Sequence, residues 1–165
     1  MTSYRSSPEI TALFAGLLDA DARIEVNSVQ PEGMAPAFVA AASDGAYAQA
    51  LCEAVRDARS GEGLVALVAR SKQELKRIER ILGEDAPRVM RGDEPLPESG
   101  MVALEVSLAK GLEFDHVVIP DASSSAYPPD DDIARRRLYV ALSRATRRLT
   151  VLSKGPATPL LSGLA

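Results

Sequence analysis

Apolar and polar positions alternate along the chain in blocks that predict strands and helices in turn. Short apolar runs, such as LVALVAR at 64–70, are typical of strands that are buried on both faces of a sheet. Segments with apolar residues three and four positions apart, such as SKQELKRIERIL at 71–82, are typical of helices that pack by one face. The alternation favours βαβ units, so we predict a three-layer α/β fold with a mainly parallel sheet flanked by helices.

Turn residues and helix caps set the limits of these elements. Gly61 and Gly83 follow two of the helical segments, as glycines do at helix ends. In the first half of the chain we predict a helix from Ser6 or Ser7 to about residue 20, a strand in 35–43, a helix over 46–60, the strand 64–70 and the helix 71–82. After a break at 91–99 we predict strands in 101–107 and 116–120, an acidic loop through Asp132, a helix over 133–145 and a strand in 148–153. Beyond them, the Pro- and Gly-rich stretch 155–165 predicts a flexible tail.

Composition limits the class of protein. A chain of 165 residues with 46% hydrophobic content fits one compact domain. Its formal charge of −4 argues against a broad basic face, so nucleic-acid contacts would come from a local patch or a partner domain. Cys52 lies in an Ala-rich run and is expected to pack as a small apolar residue, and we predict no metal site. The chain has no apolar run of the ~20 residues that cross a bilayer and no signal pattern, so we expect a cytoplasmic protein without membrane contact.

The helix predicted over 133–145 carries an arginine near its end. Its apolar seam comprises Ala134, Leu138, Ala141, Leu142 and Ala145. Arg144 emerges beside that seam, where a packed helix can hold a guanidinium stiffly and direct two parallel donors at phosphate oxygens. Such a residue suits an arginine finger. A solvated basic helix end that complements the helix dipole is the alternative on this pattern alone.

The segment KGLEFD joins two apolar runs, which predicts a tight connection at the carboxyl edge of the sheet. Gly111 there would leave space for a ligand, and Glu113 could accept hydrogen bonds from a sugar hydroxyl. The spacing alone favours an ordinary turn glycine and a surface acid, and it also fits a solvated charge at Lys110. At the start of the chain, Tyr4 and Arg5 form a pair that can stack on a base and reach a phosphate.

Three blocks occur in the order SYRSSPEI at 3–10, LAKGLEFDHVVIPDA at 108–122 and RRRLYVALSRATRRL at 135–149. They resemble motifs IV, V and VI of the UvrD/Rep-like superfamily 1 helicases. The resemblance implies that 1–154 is the second, C-terminal RecA-like motor domain. Typical members insert a large 2B-type domain before motif V, where this chain has only the connector RGDEPLPES. Nine residues are too few to fold as a domain, so we predict that no 2B-type domain is inserted there. The chain is most similar to the branch that contains DNA helicase IV and the RNA-polymerase-associated HelD proteins.

The resemblance also implies roles at an ATP site. Tyr4 would flank the adenine, and Arg5 and Arg144 would contact the γ-phosphate as the catalytic residues. Glu113 would reach the ribose, and Gly111 would line the same cleft.

A second set of positions would face a nucleic-acid strand. VARSKQEL at 68–75 is similar to a weaker block of the family, which implies a strand contact for Arg70. Glu105 and Ser107 stand where many members present Thr and His to DNA, with Lys110 close by. An acid at that place would repel phosphate. Glu105 therefore either points elsewhere, or the protein grips its strand differently.

No GxxxxGK[ST] loop occurs in the chain, so we expect the isolated domain to be inactive. The resemblance implies that ATP and Mg²⁺ bind against the N-terminal RecA-like domain of the same protein, which would supply the magnesium ligands. The whole protein would then be an ATP-dependent DNA helicase or translocase acting on single-stranded or partly duplex DNA. The alternatives are a HelD-like ATP-driven remodelling factor of RNA polymerase and a non-catalytic interaction module, although the presence of Arg5, Glu113 and Arg144 argues against lost catalysis.

Overall fold

The computed structural model of the chain describes residues 2–4, 8, 10, 26–28, 36–92 and 94–161. In chain order its elements are β1 (Thr2–Tyr4), β2 (Val26–Ser28), β3 (Ala37–Ala41), α1 (Asp44–Ser60), β4 (Leu64–Ala69), α2 (Lys72–Leu82), β5 (Arg88–Val89), β6 (Gly100–Glu105), β7 (Phe114–Ile119), α3 (Asp132–Ser143) and β8 (Ala145–Lys154). Single 3-10 turns occupy Gly83–Asp85, Val106–Leu108 and Pro159–Leu161.

Six of the strands form one sheet in the order β3-β8-β7-β4-β6-β5, and every pairing in it is parallel. Strands β1 and β2 pair separately, also in parallel. Two buried clusters cover the two faces of the large sheet: one includes Leu51 of α1 and Ile78 of α2, and the other includes Leu138 of α3. The predicted three-layer RecA-like α/β architecture is therefore confirmed.

Local sequence signals placed most elements correctly. Helices α1 and α2 end at Gly61 and Gly83, and the side chains of Ser43, Ser71 and Asp131 cap the three helices by accepting backbone N–H bonds. Strand β5 was missed because two residues carry no periodicity. The helix predicted in the first 20 residues falls mostly outside the described residues. Within that helix Pro8 and Ile10 are described, both are helical, and Ile10 is fully buried.

Residues 106–113, which we call the crossing segment, join β6 to β7 without a helix. Both strands pair with β4, so this segment passes across β4 from the carboxyl end of β6 to the amino end of β7. Val106 and Ala109 are buried along the way, and Leu112 N donates to Ala109 O at 3.0 Å. The turn that this bond closes places Gly111 near the amino end of β7. The prediction that Gly111 lies at the carboxyl edge was wrong, because the chain has already crossed the sheet.

The chain after β8 packs against the loop that follows β7. Thr158 N donates to Ala122 O at 2.8 Å, and Thr158 Oγ1 donates to Tyr127 O at 2.6 Å. Thr158 and Leu161 are both buried. Residues 155–161 thus pack onto the domain rather than form the predicted flexible tail, because Thr158 satisfies backbone groups of the preceding loop. Residues 162–165 lie outside the described part of the chain.

His116 of β7 is a buried titratable group. Its Nε2 lies 2.8 Å from Thr150 Oγ1, and its Nδ1 has no hydrogen-bond partner. Burial, followed by the charge of Arg148, lowers the pKa of His116 from 6.5 to about 4. The imidazole is therefore neutral in the folded protein at neutral pH.

We expect the free energy of unfolding to fall as the pH drops from 6.5 to about 4, with no further loss from His116 below that range. The reason is that the unfolded chain then binds a proton that the folded protein does not bind. His116→Gln should show a weaker pH dependence in this window. Melting temperatures of both proteins across the window measure the difference, and parallel curves would contradict the assignment.

Candidate functional site

The amino edge of the sheet brings two sequence-predicted site residues together. Phe114 begins β7 and pairs with Ala145 at the start of β8, although β7 shifts register just beyond. Phe114 N also donates to Arg144 O at 2.9 Å. Because Glu113 and Arg144 each directly precede one of these paired residues, they become neighbours at one edge.

Arg144 has hydrogen-bonding capacity that the domain leaves unused. It caps the end of α3, where its N–H donates to Ala141 O at 3.3 Å. Its Nη2 donates to Ser143 Oγ at 3.1 Å, and that hydroxyl donates to Val140 O at 3.0 Å. The Arg144 Nε is buried without a partner. Arg144 is half-buried, so an anion such as a phosphate oxygen would reach the guanidinium through its Nη donors rather than through the buried Nε.

Gly111 and Glu113 precede this edge on the crossing segment, and both are exposed. Gly111 has a φ of +79°, a conformation that L-residues rarely adopt, while a Cβ atom there would meet nothing within 4 Å. The turn alone thus explains the glycine. Arg5 and the side chain of Tyr4 lie outside the described residues, so their predicted roles at this edge stay predictions.

Arg70 lies at the opposite, carboxyl edge, directly after β4. Its Nε donates to Glu74 Oε2 at 2.7 Å, and its backbone N donates to Glu74 Oε1 at 3.2 Å. Glu74 is only 4% exposed, and burial raises its pKa while the Arg70 guanidinium opposes that shift. The pair neutralises the charge of Arg70 and fixes the start of α2. The strand contact predicted for Arg70 would have to use the donors that remain.

Ser107 and Lys110 open onto what we call the cationic groove, a concavity of about 520 Å³ between the crossing segment and α3. Its lining comprises Val106, Ser107, Lys110, Ile133, Arg136, Arg137, Tyr139 and Val140. Glu105 lines a different groove of about 370 Å³, together with Lys72, Lys76 and Arg91. Glu105 and Ser107 therefore border different concavities, and the two alternatives for Glu105 stay predictions.

Sequence reasoning missed Arg136 and Arg137 as groove residues. Both lie outside the apolar seam of α3, and both are exposed. Their position beside Lys110 depends on how the crossing segment packs, for which the sequence carried no signal. Within the described ranges, no cluster of three or more His, Cys, Asp or Glu side chains could hold a metal, and none of the helices there is long and apolar enough for a bilayer.

Comparisons with known proteins agree with this architecture. Residues 100–152 match the family model of the UvrD-like helicase C-terminal domain. No curated protein matches the chain. Among solved structures, the C-terminal domain of a possible DNA helicase from Lactobacillus plantarum WCFS1 is similar, with 25% identity and a TM-score of 0.77 over 98% of this chain and 94% of that one.

The DUF1998 helicase MrfA bound to DNA is a distant match, with 11% identity and a TM-score of 0.46 over 94% of this chain and 29% of that one. The family match covers the crossing segment, α3 and most of β8, and therefore includes Glu113 and Arg144. The family match over 100–152 and the structural match over nearly the whole chain both show that this chain is similar to the C-terminal domain of UvrD-like helicases.

Proposed function

We propose that the chain is the second RecA-like domain of an ATP-dependent superfamily 1 DNA helicase or translocase. The observation that carries the proposal is the arrangement at the amino edge, where Glu113 and Arg144 are neighbours and Arg144 keeps a buried, unpartnered Nε. Both residues lie inside the segment that matches the helicase family model.

Each residue has a role that follows from its chemistry. Arg144 directs guanidinium donors at the γ-phosphate and stabilises the charge that develops during phosphoryl transfer. Glu113 accepts hydrogen bonds from the ribose hydroxyls, and the Gly111 turn brings it to the edge. Tyr4 and Arg5 complete this half of the site by covering the adenine and a phosphate oxygen. ATP supplies the energy when bound with Mg²⁺ against an N-terminal RecA-like domain, which holds the metal.

The crossing segment relates the two ends of the domain. Ser107 lies near the carboxyl end of β6, and Glu113 lies at the amino end of β7. A shift of the nucleotide-bound edge therefore moves a segment that also borders the side where we place the DNA strand. Closure of the two domains on ATP and release after hydrolysis would advance the motor along that strand.

The isolated chain should bind ATP weakly and show no turnover, because it lacks the phosphate loop and the magnesium ligands. The intact motor protein should hydrolyse ATP faster when single-stranded DNA is added. Phosphate-release assays on both proteins, with and without an oligonucleotide, make the comparison. Turnover by the isolated chain, or an intact protein without ATPase activity, would refute the proposal.

Remodelling of RNA polymerase is the second candidate. The net charge of −4 and the neutralisation of Arg70 by Glu74 favour it, because both weaken the attraction of this domain for a nucleic-acid strand. In that case ATPase activity would respond to the polymerase and not to the oligonucleotide.

A further inference from the structure

The cationic groove combines an apolar floor with positive charge that has no partner. Val106, Val140 and Ile133 contribute aliphatic surface, while Lys110, Arg136 and Arg137 contribute three cations. No acidic residue lines the groove. Within the described residues these three cationic side chains make no ion pair or hydrogen bond, and all three are exposed.

Ile133 at the groove wall is 59% exposed, and in the described part of the chain Val39 is the only other large hydrophobic residue that is exposed. A branched aliphatic side chain in water at the rim of an apolar groove indicates a surface that another molecule covers. The floor is poorly suited to nucleobases, because single-strand sites rely on stacked aromatic rings and Tyr139 is the single aromatic residue here. The groove therefore favours a protein segment.

An acidic loop directly precedes Ile133. Asp131 is occupied as the cap of α3, where it accepts from Ile133 N at 2.9 Å and Ala134 N at 3.2 Å. Asp130 is exposed and has no ion-pair or hydrogen-bond partner in the described part of the chain. The Asp132 side chain is 81% exposed and has only a 3.9 Å contact with Arg135. The two carboxylates thus supply the negative charge that the groove lacks, and Ile133 belongs both to this loop and to the groove wall.

One surface of the chain therefore carries both halves of a complementary pair. Under a two-fold axis, the loop of each copy would meet the groove of the other, which is how self-complementary patches form symmetric dimers. We propose that a second copy of this chain occupies the cationic groove, with Asp130 and Asp132 of each copy facing Arg136 and Arg137 of the other and with both Ile133 side chains over the apolar floor.

The interface is small, so the dimer should be weak. Two short loops set against two open grooves fall in the class of interfaces at or below ~1,200 Å², for which we expect a dissociation constant of about micromolar or weaker. Its charge pairs lie at the surface and should weaken as salt is raised.

Complementary charge reversal tests the pairing in the chain itself. One variant carries Arg136→Glu and Arg137→Glu, and the other carries Asp130→Lys and Asp132→Lys. Each variant alone places like charges together and should weaken self-association at least about tenfold. An equimolar mixture should associate again, because each acidic surface then meets a basic one. A matched control reverses the exposed Arg147 and should self-associate like the parent.

Sedimentation equilibrium over a concentration series gives the result, and circular dichroism melts confirm that each variant is folded. The parent should rise from 17.5 kDa towards twice that mass, more readily in low salt than in high salt. A parent that stays monomeric at all concentrations, or a mixture no heavier than its components, would overturn the proposal. So would dimers of both variants as stable as the parent. Loss of binding to a single-stranded oligonucleotide by the Arg variant, without any change in self-association, would assign the groove to nucleic acid instead.

Discussion

Replacing Arg144 with Ala should lower ATP turnover of the intact motor protein by about 10³-fold, the effect of removing an arginine finger. Nucleotide affinity should change little, because the finger acts mainly on charge that develops in the transition state. In the chain by itself the Arg144 side chain bonds to Ser143, and its Nε has no partner. Steady-state kinetics and direct binding of an unhydrolysable ATP analogue measure the two quantities.

Two further variants sharpen the test. Arg144→Lys should rescue little, because an ammonium lacks the planar fork that donates to two oxygens. Arg147→Ala removes an exposed arginine three residues away and should leave turnover unchanged. If Arg144→Lys turned over close to the parental rate, Arg144 would be a surface charge and the proposed site would be misplaced.

Removing the Arg70 side chain should strongly lower the free energy of unfolding. Arg70→Ala strands the Glu74 carboxylate, which is 4% exposed, and breaking such a pair costs about 3 kcal/mol of unfolding free energy. Glu74 then prefers to be protonated in the folded state, so acidification should narrow the gap between variant and parent. Urea denaturation at neutral and mildly acidic pH measures that gap.

The double variant Arg70→Ala with Glu74→Gln separates lost packing from the stranded charge. It should lie closer to the parent than Arg70→Ala alone, because no carboxylate is buried without a partner. A single variant as stable as the parent would mean that the pair contributes nothing. Arg70→Ala would test the predicted strand contact only if DNA binding is measured on folded protein, because unfolding by itself also abolishes binding.

The sequence predicted the elements better than their connections. Ser71 and Gly83 delimit α2 by local chemistry, and the uncharged run of β4 identifies a buried strand, so both elements follow from neighbouring residues alone. The path of the crossing segment does not, because it depends on β6 and β7 both pairing with β4. Gly111 was therefore placed at the wrong edge, whereas Arg144 was placed correctly near the end of its helix.

Some candidate site residues could also be found from the sequence, whereas others depend on the tertiary fold. A basic residue beside an apolar seam is visible in sequence, which made Arg144 a candidate. The grouping of Lys110 with Arg136 and Arg137 needs the tertiary fold, and so does the burial of Glu74 against Arg70. Charge alone could not show which cations are neutralised and which are available.

The crossing segment also has a consequence for insertions and deletions. Its eight residues span the height of the sheet while Val106 and Ala109 remain buried and Phe114 keeps its place beside Ala145. A residue added or removed there would shift Glu113 away from Arg144 or pull a buried anchor out of place. The connector before β6 is less constrained, because none of its described residues is fully buried. Natural variation in length should therefore accumulate in that connector and be absent from the crossing segment.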